Sequence, residues 1–448
     1  MKAEIFILFI IISLKGIAQP DWQSIKDTTM PYVAISNEYS KPFRQPLSVG
    51  GWEDGVFITR DGLNLYCIYL PVDFFSFTFS GNSDQTNFSP YKRGPTLGMD
   101  LITNPVGADE WLQGDILYSH RNSLTDSFRL WTLSNLARPV WTEGAVQMIQ
   151  KNDSIADLFV YTSNETFPYK GDILLIKDAK LNPLGVGSVL PAPVTTEYKE
   201  DNPHIERLDS VNLVLFFDSD EKNDGVGKLD IWYSTSSDNG ITWINPLQVS
   251  SINTTSDEQQ PHLFKQNDSD WYLYYTGTNP ITSKVEIYRA KQSITGDWNS
   301  WINKELVIGA GNALAVGEPS LTKDGDISFV VIYEASDGTS SDKFDADPWF
   351  LPKLKPVSQN DNKYFNKDIN LSIFPNPLKD NAVVTIDIIN GTDYQLAILN
   401  IYGQEVKKIS SIKTDKIYIH REDLLSGLYF IKLTNSNKLV GIKKLIIE

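Results

Sequence analysis

The feature that most constrains the fold is a repeat of 58 residues in the middle of the chain. Pro203, Pro261 and Pro319 follow one another at this interval, and so do Trp243 and Trp301. The segments between them have the short apolar pattern of strands. A period of this length built from short strands is typical of a β-propeller or a solenoid, in which each unit buries its faces against its neighbours.

Units of other lengths precede the regular repeats. One begins at Glu53 and another at Glu143, and a unit with a long insertion between them carries the strand patterns 116–119 and 128–132. Together the units predict an all-β fold, an about six-bladed β-propeller followed by a small C-terminal β-sandwich.

Parts of the repeats resemble a known propeller unit. The segments 229–234, 252–254 and 257–261 are similar to the TolB-type propeller repeat, and so are 53–55 and 60–66 in the first unit. The resemblance implies a propeller and names no ligand.

A second pattern resembles the Asp box of sialidase-like propellers. Ser236, Asp238, Gly240 and Trp243 match it, and 293–298 is a degraded copy. In such a hairpin we expect the carboxylate to accept backbone N–H bonds, the glycine to supply a positive φ, and the indole to pack beneath. The box supports the fold and does not indicate catalysis.

The last 78 residues, 371–448, form a separate strand-rich segment. Prolines, an Asn-Gly turn and short β-branched runs predict a small antiparallel sandwich. Three motifs in order, the opening 372–377, the middle 394–406 and the end made of 425–433 and 443–448, closely resemble the type A C-terminal sorting domain of the Bacteroidetes type IX secretion system. The resemblance implies export and a partnership with that secretion machinery. An adhesive or binding module of the same fold is the alternative.

The remaining boundaries follow from composition. Residues 1–18 have a charged start, an apolar core too short to span a bilayer and small residues before Gln19, which predicts a secretory signal peptide. We predict the propeller over 19–355 and a polar linker over 356–370. The predicted location is the medium or the outer-membrane surface of a Gram-negative bacterium, reached through the periplasm, with no transmembrane segment in the mature chain.

Charge and cysteine content exclude some functions. The formal net charge is −16 at pH 7, which argues against nucleic acid and anionic membrane surfaces as partners, because both need basic patches. The single Cys67 cannot form a disulfide within the chain, and we interpret it as a buried thiol.

Acidic residues recur where the innermost strand of each unit should begin. If these starts surround a central funnel, the residues that could bind a ligand there are Glu53, Asp54, Glu143, Glu200, Asp201, Glu258 and Glu318. A glycoside hydrolase would need two such carboxylates, and we assign Asp54 as the base and Glu200 as the acid. We favour a structural role, because recurrence at one repeat position is not what a single catalytic residue requires.

Two further sets of residues are candidates for binding. His204 and His262 occupy equivalent repeat positions and could face one another across the funnel, although local bonding is the interpretation we favour. Asp218, Asp220 and Asp224 would form an oxygen-rich hairpin loop of a kind that suits Ca²⁺. Its spacing is not that of an EF-hand, and we favour a solvated acidic turn and no cofactor.

Three functions remain open. The first is a secreted propeller that binds a glycan, peptide or surface partner without catalysis. The second is a glycoside hydrolase with a funnel carboxylate pair, although no sialidase arginine triad, Gly-x-Ser-x-Gly elbow or His-Glu-x-x-His helix is present. The third is a structural component of the envelope.

Overall fold

The computed structural model divides into two compact units, Met1–Leu354 and Lys355–Glu448. It describes residues 20–79, 93–95, 97, 114–134, 136, 143–152, 155–163, 171–180, 188–220, 225–267, 270–339, 342–354, 371–386, 393–400, 404–422, 424–435 and 438–448. No helix in these ranges is both long enough and apolar enough to cross a membrane.

The first unit opens with helix α1 (Trp22–Thr28) and two short strands, β1 (Tyr32–Val33) and β2 (Phe43–Arg44). Asp21 caps α1 by accepting the Ser24 backbone N–H, which satisfies one of the unpaired donors at a helix start.

Five groups of antiparallel strands follow, and we call them blades 1 to 5. Blade 1 is interrupted by helix α2 (Phe74–Phe79) between its second and third strands. The strands are β3–β6 in blade 1 (Trp52–Ile58, Asn64–Leu70, Asp115–His120, Thr132–Leu133), β7–β10 in blade 2 (Glu143–Asn152, Ile155–Ser163, Gly171–Lys180, Ser188–Val189), β11–β14 in blade 3 (Glu200–Arg207, Leu213–Asp220, Leu229–Ser236, Leu247–Gln248), β15–β18 in blade 4 (Glu258–Lys265, Trp271–Thr278, Val285–Gln292, Trp301–Gly309) and β19–β21 in blade 5 (Ala315–Leu321, Ile327–Thr339, Asp342–Leu351).

The innermost strands close into a ring. β3, β7, β11, β15 and β19 contact one another in that order, and β19 contacts β3. An apolar cluster fills each of the five junctions between blades. At the junction of blades 3 and 4, for example, the cluster includes Phe216 and Leu273. The described residues therefore form a five-bladed β-propeller.

This count corrects the prediction of about six units. The patterns 116–119 and 128–132 were assigned to a separate unit, but β5 pairs with β4 and β6 pairs with β5. They are the outer strands of blade 1, separated from its inner strands by the insertion. A long connection between paired strands changes the spacing along the chain without adding a blade.

The N-terminal segment completes two blades. β2 pairs with β21 and supplies the fourth strand of blade 5, and β1 adds a fifth strand to blade 4 at β18. Lys26 of α1 is 9% exposed and lies 2.8 Å from Asp345 and 2.6 Å from Asp347. The pairing of β1 and β2 with outer strands removes sheet edges that could otherwise pair with another chain.

Every innermost strand carries a β-bulge at the same place. The register shifts after Asp54, Gly144, Asp201, Gln259 and Gly317. The residue that follows each of them has a positive φ between 47° and 59°, and these are Gly55, Ala145, Asn202, Gln260 and Glu318. Four of the five are not glycine, so the ring holds an unfavourable backbone conformation at its centre.

The second unit is a small β-sandwich. One sheet has the order β22, β23, β26, and the other has the order β25, β24, β27, β28. The bounds are β22 Leu371–Phe374, β23 Asn381–Ile386, β24 Tyr394–Leu399, β25 Glu405–Ile412, β26 Lys416–His420, β27 Gly427–Asn435 and β28 Lys438–Ile447. Alternating apolar residues from both sheets, such as Val384 and Leu396, form one core.

Candidate functional site at the propeller axis

The glutamates at the strand starts are directed into the loops that precede them. The Glu53 carboxylate accepts the Val49 backbone N–H at 3.2 Å. Glu258 accepts the backbone N–H and the hydroxyl of Thr254, each at 2.6 Å. Each bond spans four residues, so each carboxylate caps a turn within its own blade.

Glu200 bonds in the same way to the backbone N–H and hydroxyl of Thr196. The exposed fractions of Glu53, Glu143, Glu200 and Glu258 are 0%, 1%, 0% and 5%. This corrects the expectation that these four residues surround an open mouth.

A different set of carboxylates lies at the bulges. Asp201 and Asp218 are directly opposite one another on β11 and β12. Asp218 Oδ2 accepts Asn202 Nδ2 at 2.9 Å and the backbone N–H of Gln260 at 2.7 Å. Gln260 Nε2 in turn donates to Glu318 at 2.5 Å. Blades 3, 4 and 5 are thereby joined around the axis.

Asp54 belongs to this axial set. Its carboxylate accepts the Trp52 indole N–H at 3.0 Å, and the charge of Asp201 acts on it. The predicted acid, Glu200, is instead directed to Thr196. The carboxylates whose charges interact with that of Asp54 are therefore Asp201, the residue after Glu200, and Glu318.

Burial and mutual repulsion raise the pKa values of the axial carboxyls. Burial, followed by the charge of Asp201, raises the pKa of Asp218 to about 7. Burial, followed by the charges of Asp54, Asp201 and Asp218, raises the pKa of Glu318 well above its usual range. Like charges this close in a poorly solvated site cannot all ionise together, so the set holds protons near neutral pH.

The space among these groups is small. The cavity at the level of the bulges has a volume of about 20 Å³ and is lined by residues of all five innermost strands, among them Gly55, Ala145, Asn202, Gln260 and Glu318. A water molecule needs ~10–15 Å³ by the same measure. The axis therefore has room for about one water at this level.

In the turn that follows β3, Arg60 of blade 1 contacts residues of three other blades. Its guanidinium forms an ion pair with Glu206 and donates to the carbonyls of Leu263 at 2.8 Å and Leu321 at 3.1 Å. Glu206 lies one 58-residue period before Phe264, so a charged residue occupies a position that is apolar in the next repeat. This difference between repeats is the sequence signal that could have identified the group.

His204 and His262 meet beside this ion pair. Their ring centroids are 4.1 Å apart. His262 Nε2 accepts the Leu321 backbone N–H at 3.1 Å, which requires an unprotonated nitrogen. Burial lowers the pKa of both histidines. His262 Nε2 lies 3.3 Å from the Arg60 guanidinium, and His204 Nε2 lies 3.3 Å from the Glu206 carboxylate, so both rings bond within this group.

The predicted Ca²⁺ loop is not formed by the described residues. Asp218 lies within β12 and takes part in the axial set, and Asp220 accepts the Lys199 backbone N–H at 3.1 Å. Asp224 lies outside the described residues. No cluster of metal-ligating side chains occurs in the part of the chain that the structure describes. The prediction that Asp218 lies in a hairpin loop is wrong, because Asp218 is paired within β12 and its side chain belongs to the axial set.

The Asp-box residues form a hydrogen-bonded hairpin in blade 3. Asp238 Oδ1 accepts the backbone N–H of Ile241 and Thr242, and Oδ2 accepts the Thr242 hydroxyl at 2.6 Å. These bonds lower the pKa of Asp238 to about 2. Gly240 has φ 81°, and Trp243 is 6% exposed.

Solved structures similar to this chain include several glycoside hydrolases. A thermostable family-43 glycoside hydrolase has 13% identity and a TM-score of 0.42, covering 70% of this chain and 96% of its own. The endo-arabinase from Bacteroides thetaiotaomicron has 13% identity and a TM-score of 0.44, covering 70% and 98%. A protein of unknown function from Dyadobacter fermentans has 9% identity and a TM-score of 0.43, covering 70% and 99%. Similarity this low leaves the activity of this chain open.

No curated protein sequence matches the chain. Residues 372–448 match the family described as the secretion system C-terminal sorting domain. The match covers the strands β22–β28 almost completely, and the sequence motifs of the tail lie within it. The second unit is therefore a type IX secretion system sorting domain, and the chain that carries it is exported to the cell surface or secreted.

Proposed function

We propose that the propeller is a non-catalytic module that binds a glycan, peptide or surface partner outside the cell. The observation that carries this proposal is the axial cavity of about 20 Å³. Asp218 and Glu318 are bonded to Asn202 and Gln260 of the protein itself. Ligand pockets typically have volumes of ~300–1,000 Å³, so the axis at this level is too small to be one.

The strand-start glutamates support the same conclusion. Glu53, Glu200 and Glu258 accept hydrogen bonds from their own blades and are buried. They hold the loops around the ring, which leaves ligand binding to the outer surfaces. The net charge of −16 favours neutral or cationic partners.

The test uses the full chain after removal of residues 1–18. It is applied to arrays of glycans and peptides and incubated with aryl arabinosides, xylosides, galactosides and sialosides. We expect binding on an array or to whole cells and no turnover. Turnover of any of these glycosides that requires an axial carboxyl would overturn the proposal, and so would the lack of binding to every array and to cells.

A second candidate function is glycoside hydrolysis, which one observation favours. The axial carboxyls of Asp54, Asp201, Asp218 and Glu318 combine charges with raised pKa values, as a general acid beside a base requires. Under this alternative Asp54→Asn and Glu318→Gln would each lower turnover by ~10²–10⁴-fold. Glu200→Gln tests whether Glu200, the predicted acid, takes part in catalysis. If Glu200 has only a structural role, this substitution should lower stability and leave turnover per folded molecule unaltered.

A further inference from the structure

A pocket of about 300 Å³ opens in blade 3 beside the Asp-box hairpin. Leu208, Trp243 and Ile244 form its apolar wall, and Ser237 and Thr242 bring hydroxyl groups to it. The volume lies at the lower end of the ~300–1,000 Å³ range of ligand pockets. It is fifteen times that of the axial cavity.

One wall of this pocket has an unsatisfied donor. Trp243 is 6% exposed, and its indole N–H, which is buried, has no hydrogen-bond acceptor among the described residues. Buried polar groups in folded proteins are nearly always paired. The N–H is closed to water-sized groups in this structure, so a ligand oxygen can supply the missing acceptor only after a small shift of the indole or of a neighbouring side chain.

The rim of the pocket is apolar and accessible. Leu208 is 39% exposed and Ile244 46%. Ile241, which precedes the lining residue Thr242 in the hairpin, is 65% exposed. Exposed apolar residues grouped around a pocket mark a binding surface more often than scattered ones do.

We propose that this pocket binds a neutral carbohydrate unit. A sugar ring has an apolar C–H face and hydroxyl edges, which match the indole and aliphatic wall on one side and the hydroxyls of Ser237 and Thr242 on the other. The lining includes no lysine or arginine, so nothing in it would pair with an anionic ligand. Its one charged side chain is Asp209, whose carboxylate oxygens accept the backbone N–H groups of Val211 and Asn212 and the Asn212 side-chain amide. The inference rests on the proposed binding function and assigns its site and ligand class.

The repeat provides a matched control position. Ile302 follows Ile244 by one 58-residue period, and the two are 47% and 46% exposed. In blade 4 the hairpin is the degraded copy, and Trp301 donates its indole N–H to the Trp298 carbonyl at 2.7 Å. Blade 4 therefore has a paired indole where blade 3 has an unpaired one.

The experiment compares the mature full chain with Ile244→Arg and Ile302→Arg. The probes are short neutral xylo-, arabino- and cello-oligosaccharides, with oligogalacturonate and a lysine-rich peptide as charged comparators. Both substitutions are at half-exposed positions, and melting curves check that both variants fold. Binding is measured by titration, and the indole N–H resonance of Trp243 is followed in the wild type after assignment with Trp243→Phe.

We expect at least one neutral oligosaccharide to bind and to shift the Trp243 resonance. Ile244→Arg should weaken that binding by about tenfold or more, whereas Ile302→Arg should leave it unchanged. The inference is overturned if no neutral oligosaccharide binds, if only a charged comparator does, or if Ile244→Arg binds as the wild type does. Binding retained by Ile244→Arg would leave the proposed binding function standing, so the two failures are distinguishable.

Discussion

The sorting domain and the propeller differ in where their charged side chains lie. In the part of the tail that the structure describes, no charged side chain is buried, and the core consists of residues such as Val384, Leu396 and Ile431. The propeller buries many charged groups, including Asp218 at the axis and Asp347 beside Lys26. The described core of the sandwich is therefore apolar, while the propeller also contains charges paired between blades and with the N-terminal segment.

The difference follows from geometry. Two facing sheets bury one side of each strand, so strict alternation suffices to keep charges outside. A ring brings five strands to one axis, where backbone groups at bulges need partners that no apolar side chain can supply. Here Asp218 accepts the Gln260 backbone N–H, Gln260 Oε1 accepts the Glu318 backbone N–H, and Asp201 accepts the backbone N–H of Asn202.

The largest expected effect concerns the independence of the two units. Deleting 371–448 should abolish export and leave a folded propeller in the periplasm, because the sorting domain is recognised by the secretion machinery and the propeller has its own cores. Fractionation of a host with a working type IX system measures this. Normal amounts of the truncated protein in the medium or at the surface would show that the tail is not the sorting signal.

Next in size is a cavity in the sandwich core. Leu396 is 0% exposed, so Leu396→Ala should lower the free energy of unfolding of the tail by ~2–5 kcal/mol. The loss should be the same at all pH values between 4 and 8, since no charged group is buried nearby in the described part of the tail. Leu425→Ala, at a position 77% exposed, is the control and should change stability by less than ~0.5 kcal/mol. A strong pH dependence of the Leu396→Ala effect would contradict the comparison.

An effect of comparable size distinguishes the propeller by its pH dependence. The pKa of Asp218 is raised from 3.8 to about 7 by burial and by Asp201, so the folded state binds a proton that the unfolded state releases. The stabilisation from this proton is complete below pH 3.8 and is lost as the pH rises through 7. Asp218→Asn mimics the protonated form, and its stability relative to the wild type should rise across this window by up to ~1.4 kcal/mol per pH unit.

Comparing Asp218→Asn with the wild type cancels the opposite pH dependence that two buried histidines contribute to stability. Burial lowers the pKa values of His204 and His262, so these residues destabilise the folded state as the pH falls below 6.5, in both proteins alike. Chemical denaturation at several pH values is the measurement. A constant difference between Asp218→Asn and wild type would mean that Asp218 is ionised at the axis throughout.

The smallest effect is expected at the Asp box. Asp238→Ala removes the acceptor of two backbone N–H groups and the Thr242 hydroxyl, and it should lower the melting temperature of the propeller slightly. Asp238→Asn keeps one acceptor oxygen, so its melting temperature should lie between those of the wild type and Asp238→Ala. Melting curves that coincide for all three proteins would remove the structural role of this carboxylate.

Local signals in the sequence were sufficient where a motif is complete within a few residues. The tail motifs identified the sorting domain that the family match confirms, and the all-β propeller class followed from the 58-residue period. The blade count did not, because the insertion before β5 hid the pairing of β4 with β5. Arg60 and Glu206 were also missed, since they lie 146 residues apart and meet only across the axis.

By itself, then, the sequence determined the class of each unit, the export route and the hairpin chemistry of the Asp box, because these depend on contacts within one repeat or one motif. Only the tertiary structure decided which carboxylates meet. Neighbouring residues on a strand point to opposite faces, so Glu200 caps its own loop while Asp201, one residue later, faces Asp218. That one-residue difference cannot be read from composition or spacing, because the closure of five strands around an axis sets which face is inside.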